Sequence, residues 1–582
     1  MHRSIVFLFL SLFGIASAYG QDANVAQGEV VFQDECSRCH VPVEMDARLR
    51  ARWVGRTGGE LYNLIRTTMP AETPGSLTND QYMDVTAFIL SVGNVPVPGG
   101  QLSSAELEAL PITPGALASN NTESFDWTHF NGSEHSTRYA PLDQINAENV
   151  GNLQIAWMFN TSSFGPAPEA LSVTTPLMVN GRVFLTAGAT RNIVALNAET
   201  GQIDWTWRPD ESERFDAAPR KGSGKGLSYY NNDGQETIYT ITPGYYLVAL
   251  DATTGREIES FGDGGWVDLQ QGLRLGPGRD DIDIGMSFMP MAIDGVVITG
   301  AAHLVGMRPS SASNVKGDIR GFDASTGDLL WTFKTIPEPG EPGYESWLAG
   351  ADFTGNAGVW APMSADEELG IVYLPVESAT GDRYGGDRPG SNLFASSTVA
   401  LDYKTGKMRW HFQSTHHDIW DWDTPSAPIL ATLPSGKRAL IQTLKQSHLF
   451  TFDPATGEPL FPIEERSVPQ TDVPGEWTSL TQPFPSKPAP YDRQGFQEDD
   501  LVDFTPEIAA LAKEAASKFR FSESVFTPAS LFEDPHDGTQ GTLHLPSSTG
   551  GSNWEGAAYD PETGLLYVPS RTATSVLSLT HE

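Results

Sequence analysis

One short pattern recurs along most of this chain, and it limits the possible folds more than any other feature. The pattern joins an apolar stretch to Asp or Asn, two further residues, Thr and Gly, and Trp often follows four positions after the Gly. The Asp or Asn side chain closes a turn, and Gly supplies the positive φ from which the next strand starts. Copies begin at Ala195, Ala249, Gly321 and Ala400, weaker ones at Thr451 and Ala558, and a degenerate copy spans 363–370.

Regular repetition of one turn predicts how the strands are arranged. Copies spaced by a few tens of residues, each with one hairpin, are typical of a β-propeller built from four-stranded blades. The 57 Gly, the 41 Pro and a charged fraction of 19% also favour many short strands over long helices. An array of β-sandwiches stays open as the alternative.

A different motif lies near the N-terminus, where Cys36-Ser37-Arg38-Cys39-His40 has the spacing of c-type haem attachment. In such a motif the thiols of Cys36 and Cys39 bind the haem covalently, and His40 ligates the iron. A thioredoxin-like pair would need a βαβ context, and a zinc site would need two further ligands at metal spacing. The sequence around the motif has neither, so it predicts one covalent haem c.

A second iron ligand is expected after this motif, and Met69 is the preferred residue. It lies in a loop between segments 59–67 and 78–90, which the sequence predicts to be helical. A thioether opposite histidine raises the reduction potential, which suits electron transfer. The alternatives are Met45 and Met83, or a packing role for Met69 itself. Residues 24–94 resemble small class I cytochromes c, and the resemblance implies His40 and Met69 as the iron ligands.

The first residues of the chain indicate export. Residues 1–18 combine a weakly positive start, an apolar run and the small residues Ala16-Ser17-Ala18, which is the pattern of a secretory signal. The apolar run is too short to stay in a bilayer, so we expect a periplasmic protein without a transmembrane anchor. The formal net charge of −36 argues against nucleic acid as a partner.

These features divide the chain into four parts. We expect a signal peptide over 1–18, a small all-α cytochrome c domain over 19–95, a linker over 96–120 and the propeller over 121–582. The chain stops at Glu582 shortly after the last copy of the repeat. We therefore also expect the ring to lack its last strands, about one to two blades.

The repeat and the segment that opens it point to a known family. The run Phe125-Asp-Trp-Thr-His-Phe-Asn-Gly-Ser-Glu-His-Ser-Thr-Arg-Tyr-Ala-Pro-Leu-Asp-Gln-Ile-Asn146 and the Asp-x-x-Thr-Gly-x-x-x-Trp repeat resemble the quinoprotein dehydrogenases that bind pyrroloquinoline quinone (PQQ). The resemblance covers 125–582 and is closest to the PQQ-dependent glucose and alcohol dehydrogenases. It implies an all-β, eight-bladed β-propeller, preceded here by the cytochrome c domain.

The resemblance also implies roles for particular residues. In the segment His416–Asp423, the Asp directly after Trp420 matches the catalytic base of the family, which makes Asp421 the expected base. Lys445 matches the basic residue that hydrogen-bonds the reactive quinone oxygen. Trp360, in Gly-Val-Trp-Ala-Pro, matches the Trp that stacks under the PQQ ring. The alternatives are a surface carboxylate for Asp421 and a core Trp between blades for Trp360.

Four further residues are implied as cofactor contacts. Lys225 falls where relatives place an Arg that holds a PQQ carboxylate, Thr242 is a weaker contact, and Asn553-Trp554 resembles the Asn-Trp pair near the cofactor. Methanol and ethanol dehydrogenases cap PQQ with a disulfide of adjacent cysteines. Both cysteines of this chain lie in the haem motif, so this departure favours the glucose dehydrogenase branch.

The metal ligands depart from the family pattern and stay open. Where relatives have a carboxylate after a strand end, this chain has Gly300-Ala-Ala-His303, and where they have Asn it has Glu377-Ser378. Oxygen atoms of Glu377 or Ser378 suit Ca²⁺, and His303 is expected to line the pocket. The ion is expected to be Ca²⁺ or another divalent or trivalent ion. Its candidate ligands are Glu377, Ser378, Asp421 and Asp423.

The motifs predict a periplasmic quinohaemoprotein dehydrogenase. Asp421 would take the hydroxyl proton of an alcohol or sugar, and hydride would pass to PQQ. Electrons would then leave through the haem at Cys36, Cys39 and His40 to a cytochrome or the quinone pool. The alternative is a non-catalytic β-propeller, a binding or scaffold protein with an electron-transfer cytochrome attached.

Overall fold

The computed structural model describes the chain between residues 23 and 580, with gaps. The described residues are 23–38, 40, 45, 49, 53, 56–71, 73–93, 95–112, 125–161, 164–165, 169, 171–279, 282–304 and 312–580. The expected signal peptide, Cys39 and the end of the expected linker lie outside them. The chain forms two compact units, Met1–Ser124 with Asp143–Phe159 and Asn197–Gln202, and Phe125–Leu142 with Asn160–Leu196 and Ile203–Glu582.

Short capped helices build the first unit. They are α1 (Val25–Val31), which continues as a π-helical turn (Phe32–Cys36), α2 (Gly58–Thr68), α3 (Asn79–Val92) and α4 (Ser104–Ala109). The last three start after a Thr or Ser that accepts a backbone N–H, and a Glu or Gln three residues later completes the capping box. The helices predicted at 59–67 and 78–90 are thus confirmed.

Close packing and one strand pair hold these helices together. Helices α1 and α3 approach closely because Gly28 has no side chain, and a Cβ there would lie 1.9 Å from the carbonyl oxygen of Asp84. Strand β1 (Ala23–Asn24) pairs antiparallel with β2 (Gln101–Leu102). Within the described ranges, no helix is long and apolar enough to cross a bilayer.

Antiparallel sheets of strands that are neighbours in sequence build most of the second unit. Four such antiparallel sheets contain four sequential strands each. They are β3 (Leu177–Val179), β4 (Arg182–Ala187), β5 (Asn192–Asn197), β6 (Ile203–Trp207); β7 (Ser228–Asn232), β8 (Gln235–Ile241), β9 (Tyr246–Asp251), β10 (Trp266–Asp268); β11 (Met291–Ile293), β12 (Val296–Thr299), β13 (Ile319–Asp323), β14 (Leu329–Phe333); and β15 (Ser364–Asp366), β16 (Ile371–Val376), β17 (Ser397–Asp402), β18 (Met408–Gln413). This succession confirms a predominantly β, propeller-like fold, whereas the number of eight blades stays a prediction.

The rest of the second unit is less regular. A three-stranded sheet contains β19 (Ile429–Thr432), β20 (Arg438–Thr443) and β21 (Leu449–Phe452). Two hairpins follow, β22 (Ile463–Ser467) with β23 (Thr481–Pro485) and β27 (Ala558–Asp560) with β28 (Leu565–Tyr567). A mixed sheet has the order β24 (Arg520–Phe521), β26 (Thr542–His544), β29 (Ser575–Leu579) and β25 (Ser530–Leu531). Helices α5 (Glu213–Ala217) and α6 (Pro506–Ala516) lie between strands.

The Trp of one repeat contacts the turn of a later repeat, and this contact explains the repeated pattern. The indole N–H of Trp331, in β14, donates to the carbonyl of Tyr403 at 2.9 Å. The ring covers Gly406, where a Cβ would lie 2.6 Å from it. Trp410 makes the same pair of contacts with Pro454 and Gly457. Neighbouring sheets are therefore joined by a Trp on one side and a Gly turn on the other.

The segment that opens the second unit connects several sheets. Its backbone pairs with β3 through the bridge between Trp127 and Met178. Three carbonyls further along accept backbone N–H groups from β15, β19 and β27, at 2.9 to 3.0 Å. The donors are Ala365, Leu430 and Tyr559, and the acceptors are Glu134, His135 and Thr137. This segment thus ties sheets that are far apart in sequence.

The contact between Trp331 and its turn predicts an asymmetry between two glycines. Gly406 and Gly370 have similar φ values of 67° and 70°, but a Cβ at Gly370 would meet nothing within 4 Å. We expect Gly406→Ala to lower the free energy of unfolding by about 2–5 kcal/mol, and Gly370→Ala by about 1–2 kcal/mol from its backbone alone. Urea unfolding of both variants measures this, and equal losses would contradict the packing role of Trp331.

Candidate active site

A cavity of about 250 Å³ in the second unit gathers most of the residues that the sequence singled out. Side chains from several sheets line it. Its lining includes Arg220, Lys225, Ser287, Asn356, Trp360, Glu377, Ser378, Asp382, Asp421, Asp423, Lys445, Ser548, Thr549 and Asn553. Eight of the expected cofactor, metal and catalytic residues therefore share one cavity.

Most of these side chains lie just before or just after a β-strand. Glu377 directly follows β16, and Lys445 follows β20 by two residues. Trp360 and Lys225 precede the first strands of their sheets, β15 and β7. Asp421 lies in the long connection from β18 to β19. The cavity is thus formed by strand ends and connections, the places where propellers carry variable side chains.

The ammonium group of Lys445 lies between two carboxylates. Its Nζ is 2.8 Å from Oδ1 of Asp421 and 2.7 Å from Oδ2 of Asp423, and the lysine is only 5% exposed. Burial acts to lower the pKa of Lys445, but Asp421 and Asp423 outweigh it and raise that pKa. The lysine therefore stays charged and fixes both carboxylates by charge-assisted hydrogen bonds.

The two carboxylates differ in their titration. Burial raises the pKa of Asp421 to about 7, with Lys445 acting against this and the charge of Asp423 adding to it. For Asp423, burial is outweighed by Lys445 and by hydrogen bonds from Ser378, so its pKa is lowered. Asp421 is thus the carboxylate suited to accept a proton near neutral pH.

The backbone at Asp421 is held in an unusual conformation. Its φ is 65°, in the left-handed region, which costs a non-glycine residue about 1–3 kcal/mol. The neighbours Trp420 and Trp422 are completely buried. Their indole N–H groups donate to the carbonyls of Thr527 at 2.8 Å and Val525 at 2.9 Å. These two anchors hold the strained residue in place.

Trp360 and Lys225 form another wall of the cavity, and the rings of Trp554 and Phe288 pack on Lys225 from outside the lining. Trp360 donates its indole N–H to Oδ2 of Asp423 at 3.2 Å, which connects this wall to the charged cluster. The Nζ of Lys225 lies 4.0 Å from the ring centroid of Trp554 and 4.3 Å from that of Phe288. Burial lowers the pKa of Lys225 to about 7. This wall combines flat apolar surface with a cation that has lost most of its water.

Three residues named from the sequence lie outside the cavity lining. Thr242 accepts the backbone N–H of Tyr246 at 3.1 Å, so its hydroxyl serves a turn. Trp554 packs on Lys225 from outside the lining. His303 is buried and bonds Glu377 and the carbonyl of Val315 through its two ring nitrogens, at 3.2 and 2.9 Å. His303 therefore lies behind the lining residue Glu377 and orients its carboxylate.

Sequence reasoning missed several charged residues of the site. Arg220 lines the cavity, and burial lowers its pKa. The pKa of Asp382 is raised well above its ordinary value by burial and by the charges of Asp421 and Asp423. Arg383 places its guanidinium 3.3 Å from Oδ2 of Asp421. The adjacent opposite charges of Asp382 and Arg383, shortly after Glu377, were the one sequence feature that could have pointed to these residues.

The metal ligands expected from the sequence are oxygen donors, as a hard cation requires. Glu377 already accepts the N–H of Gly358 at 3.0 Å, and Asp423 accepts that of Ser378 at 2.8 Å. Among the described residues, no group of three or more His, Cys, Asp and Glu side chains is arranged to hold a metal ion. The metal site stays a prediction.

Two of the expected haem residues, Cys36 and Met69, lie against one apolar cluster of the first unit. Cys36 ends the π-helical turn, and its burial, together with Glu35, raises the pKa of the thiol. Met69 directly follows α2, and its carbonyl accepts the hydroxyl of Tyr82 at 2.7 Å. Cys36 and Met69 pack against the same cluster, whereas Met45 and Met83 are buried within it. Of the other two residues of the expected haem motif, His40 is among the described residues and Cys39 lies outside them.

Comparisons with known proteins show the family of residues 127–582. Residues 127–582 match the PQQ family model "Glucose/ethanol/alcohol dehydrogenase, beta-propeller domain". The large subunit of glycerol dehydrogenase from Gluconobacter oxydans is 32% identical over 76% of this chain and 59% of its own length. The quinoprotein glucose dehydrogenase of Escherichia coli is 30% identical over 79% of this chain and 57% of its own length.

A solved structure shares the fold. The quinohemoprotein alcohol dehydrogenase from Comamonas testosteroni superposes with a TM-score of 0.55 at 22% identity, over 78% of this chain and 59% of that one. The chain thus spans less than two thirds of the length of these relatives. Because the family model matches more than half of its residues, the chain belongs to the family of PQQ-dependent glucose, ethanol and alcohol dehydrogenase β-propellers.

Proposed function

We propose that this protein is a PQQ-dependent dehydrogenase that oxidises the CH–OH group of an alcohol, sugar or polyol. The observation that carries the proposal is the buried pairing of Lys445 with Asp421 and Asp423 at 2.8 and 2.7 Å. That cluster shares one cavity with Trp360 and Lys225. A base, a cation and a flat wall are what oxidation of a hydroxyl by a bound quinone requires.

The cavity fits an anionic, planar cofactor such as PQQ. The buried Nε of Arg220 meets no hydrogen-bond acceptor among the described residues. Burial lowers the pKa of Lys225 to about 7, and a carboxylate partner would restore its charged form. Both therefore favour binding of carboxylate groups. Trp360 supplies an aromatic face beside them. We assign the cofactor carboxylates to Arg220 and Lys225, and the ring face to Trp360.

The residues of the chain then divide the work of catalysis. PQQ, when bound, supplies the two-electron acceptor for the substrate hydride. Asp421 accepts the hydroxyl proton through its carboxylate. A pKa of about 7 makes it partly available as a base near neutral pH. Lys445 orients that carboxylate and supplies positive charge in the cavity, where it stabilises developing negative charge on oxygen.

We keep the metal ion as a separate proposal. Ca²⁺, or another divalent or trivalent ion, would use oxygen atoms of Glu377, Ser378, Asp421 and Asp423. Because the described residues do not converge on one point as a ligand group, the steps above involve side chains alone.

The N-terminal unit completes the proposed electron path. We propose a covalent haem c at Cys36, Cys39 and His40, with Met69 as the second iron ligand; the haem would accept electrons singly. The apolar cluster around Cys36 and Met69 supports this, because a haem needs such surroundings. We further propose a cytochrome c domain over 19–95, a periplasmic location and a cytochrome or the quinone pool as acceptor. Of the expected linker over 96–120, β2 and α4 pack on this domain, since Leu102 and Leu107 are buried in its apolar cluster.

Replacement of the base tests the proposed reaction. In Asp421→Asn, the side chain keeps its shape but cannot accept a proton, so we expect kcat to fall by about 10²- to 10⁴-fold while PQQ stays bound. Steady-state oxidation of alcohols and aldoses by PQQ-loaded protein measures this. Asp387→Asn, at an exposed position, is the control and should keep full activity. Undiminished turnover in Asp421→Asn would rule out this base.

Removal of one cation tests the cofactor site. Lys225→Met should weaken PQQ binding by about ten- to a hundredfold, since a hydrogen bond to a charged group contributes about 1.5–3 kcal/mol. Lys221→Met removes an exposed lysine from the same segment and should leave the dissociation constant unchanged. Titration of apoprotein with PQQ, followed by fluorescence, gives both values. Equal affinity of the two variants would refute the assignment of Lys225.

The haem proposal has its own test. Met69→Ala should lower the reduction potential of the haem, because the thioether ligand raises it. Met83→Leu, in the core of the same unit, should leave the potential unchanged. Redox titration of both variants measures the reduction potential of the haem. A native potential in Met69→Ala would exclude Met69 as a ligand.

A further inference from the structure

The connection that carries Asp421 contains two strained residues. His417 has a φ of 46° and Asp421 a φ of 65°, both in the left-handed region that favours glycine. Non-glycine residues persist there only where surrounding contacts determine the backbone. Trp420 and Trp422 provide such contacts next to Asp421. At His417 the contacts come from a different part of the chain.

Glu476 reaches His417 from the connection between β22 and β23. Its Oε1 lies 3.1 Å from Nε2 of His417, and the two side chains are 1% and 0% exposed. The other ring nitrogen, Nδ1, lies 2.9 Å from the carbonyl of Gly390. The ring of Trp477 stacks on His417, with 4.3 Å between centroids. Both ring nitrogens thus face oxygen acceptors, and the imidazole is fixed on three sides.

The same carboxylate holds a second segment. Oε2 of Glu476 accepts the backbone N–H of Gly385. Gly385 lies two residues after Arg383, whose guanidinium donates to the carbonyl of Trp420 at 3.1 Å and to Asp421 at 3.3 Å. One buried carboxylate therefore joins the two segments that meet at the proposed base.

We propose that Glu476 is a positioning residue for Asp421, acting through His417 and through the segment that carries Arg383. This rests on the proposed function and deepens it. Glu476 is the hydrogen-bond acceptor that joins His417 to the backbone N–H of Gly385, so its replacement removes both contacts and lets both segments shift. A displacement of about 1 Å at a reacting group lowers catalysis by about 10²-fold. Glu476 touches neither substrate nor cofactor in this scheme.

The test compares two glutamates that pair with neighbouring histidines. Glu476→Gln removes the buried charge, whereas Glu465→Gln removes the exposed partner of His416, which lies at a similar distance of 3.2 Å. The full chain is loaded with PQQ, and kcat is divided by the number of PQQ-loaded sites. We expect Glu476→Gln to lower kcat per loaded site at least about tenfold, with KM and PQQ affinity within about twofold.

Three readouts separate positioning from a merely structural role. A structural role would reduce the fraction of loaded protein but leave kcat per loaded site unchanged. Mispositioning lowers kcat per site and raises the kinetic isotope effect with substrate deuterated at the reacting carbon. Glu465→Gln should match the wild type in the loaded fraction, in kcat per loaded site and in the kinetic isotope effect. Wild-type kcat per loaded site in Glu476→Gln would overturn the proposal.

Two further outcomes also decide the proposal. If wild-type protein binds PQQ but turns over no alcohol or aldose, the proposed function fails, and the role of Glu476 with it. If Glu476→Gln does not fold, His417→Gln is measured instead, since it breaks the same pair from the other side. It should show the same loss of kcat per loaded site, and unchanged turnover would equally overturn the proposal.

Discussion

The buried ammonium of Lys445 between Asp421 and Asp423 is the interaction on which the rest of the site depends. Charges at this depth persist only when each has a partner, and here one cation serves two carboxylates. Asp423 in turn accepts the indole N–H of Trp360, so the aromatic wall is fixed by the same cluster. Arg383 adds a second cation beside Asp421. One hydrogen-bonded network therefore fixes both the positions and the charges of the groups proposed to react.

The propeller-like unit makes this network possible by rigid contacts between sheets. Trp331 and Trp410 join neighbouring sheets through a ring over a glycine and an N–H on a carbonyl. Trp420 and Trp422 use the same N–H to carbonyl hydrogen bond for a different purpose, since they anchor the strained backbone of Asp421. Tryptophan thus positions both the scaffold and the base, which is consistent with its large buried area and single donor.

The sequence predicted the elements that depend on local patterns. Its repeat predicted sheets of four sequential strands, and the resemblance of the segment around Trp420 to the catalytic segment of the family singled out Asp421 as the expected base. Arg220 and Asp382 were not predicted because separate loops bring them to the cavity, and no local pattern records that convergence. The adjacent charges Asp382-Arg383 are visible in the sequence, but only the fold shows that Arg383 reaches Asp421. Thr242 was placed near the cofactor by resemblance, but its hydroxyl is used by a turn.

Anaerobic titration of PQQ-loaded protein with alcohols and aldoses tests the central claim most directly. The absorbance of the oxidised quinone is followed as substrate is added. If the cavity around Asp421 and Lys445 oxidises CH–OH groups, at least one substrate will reduce one equivalent of bound quinone per protein. Quinone that stays oxidised with every alcohol and aldose, although it is bound stoichiometrically, would contradict the proposed function.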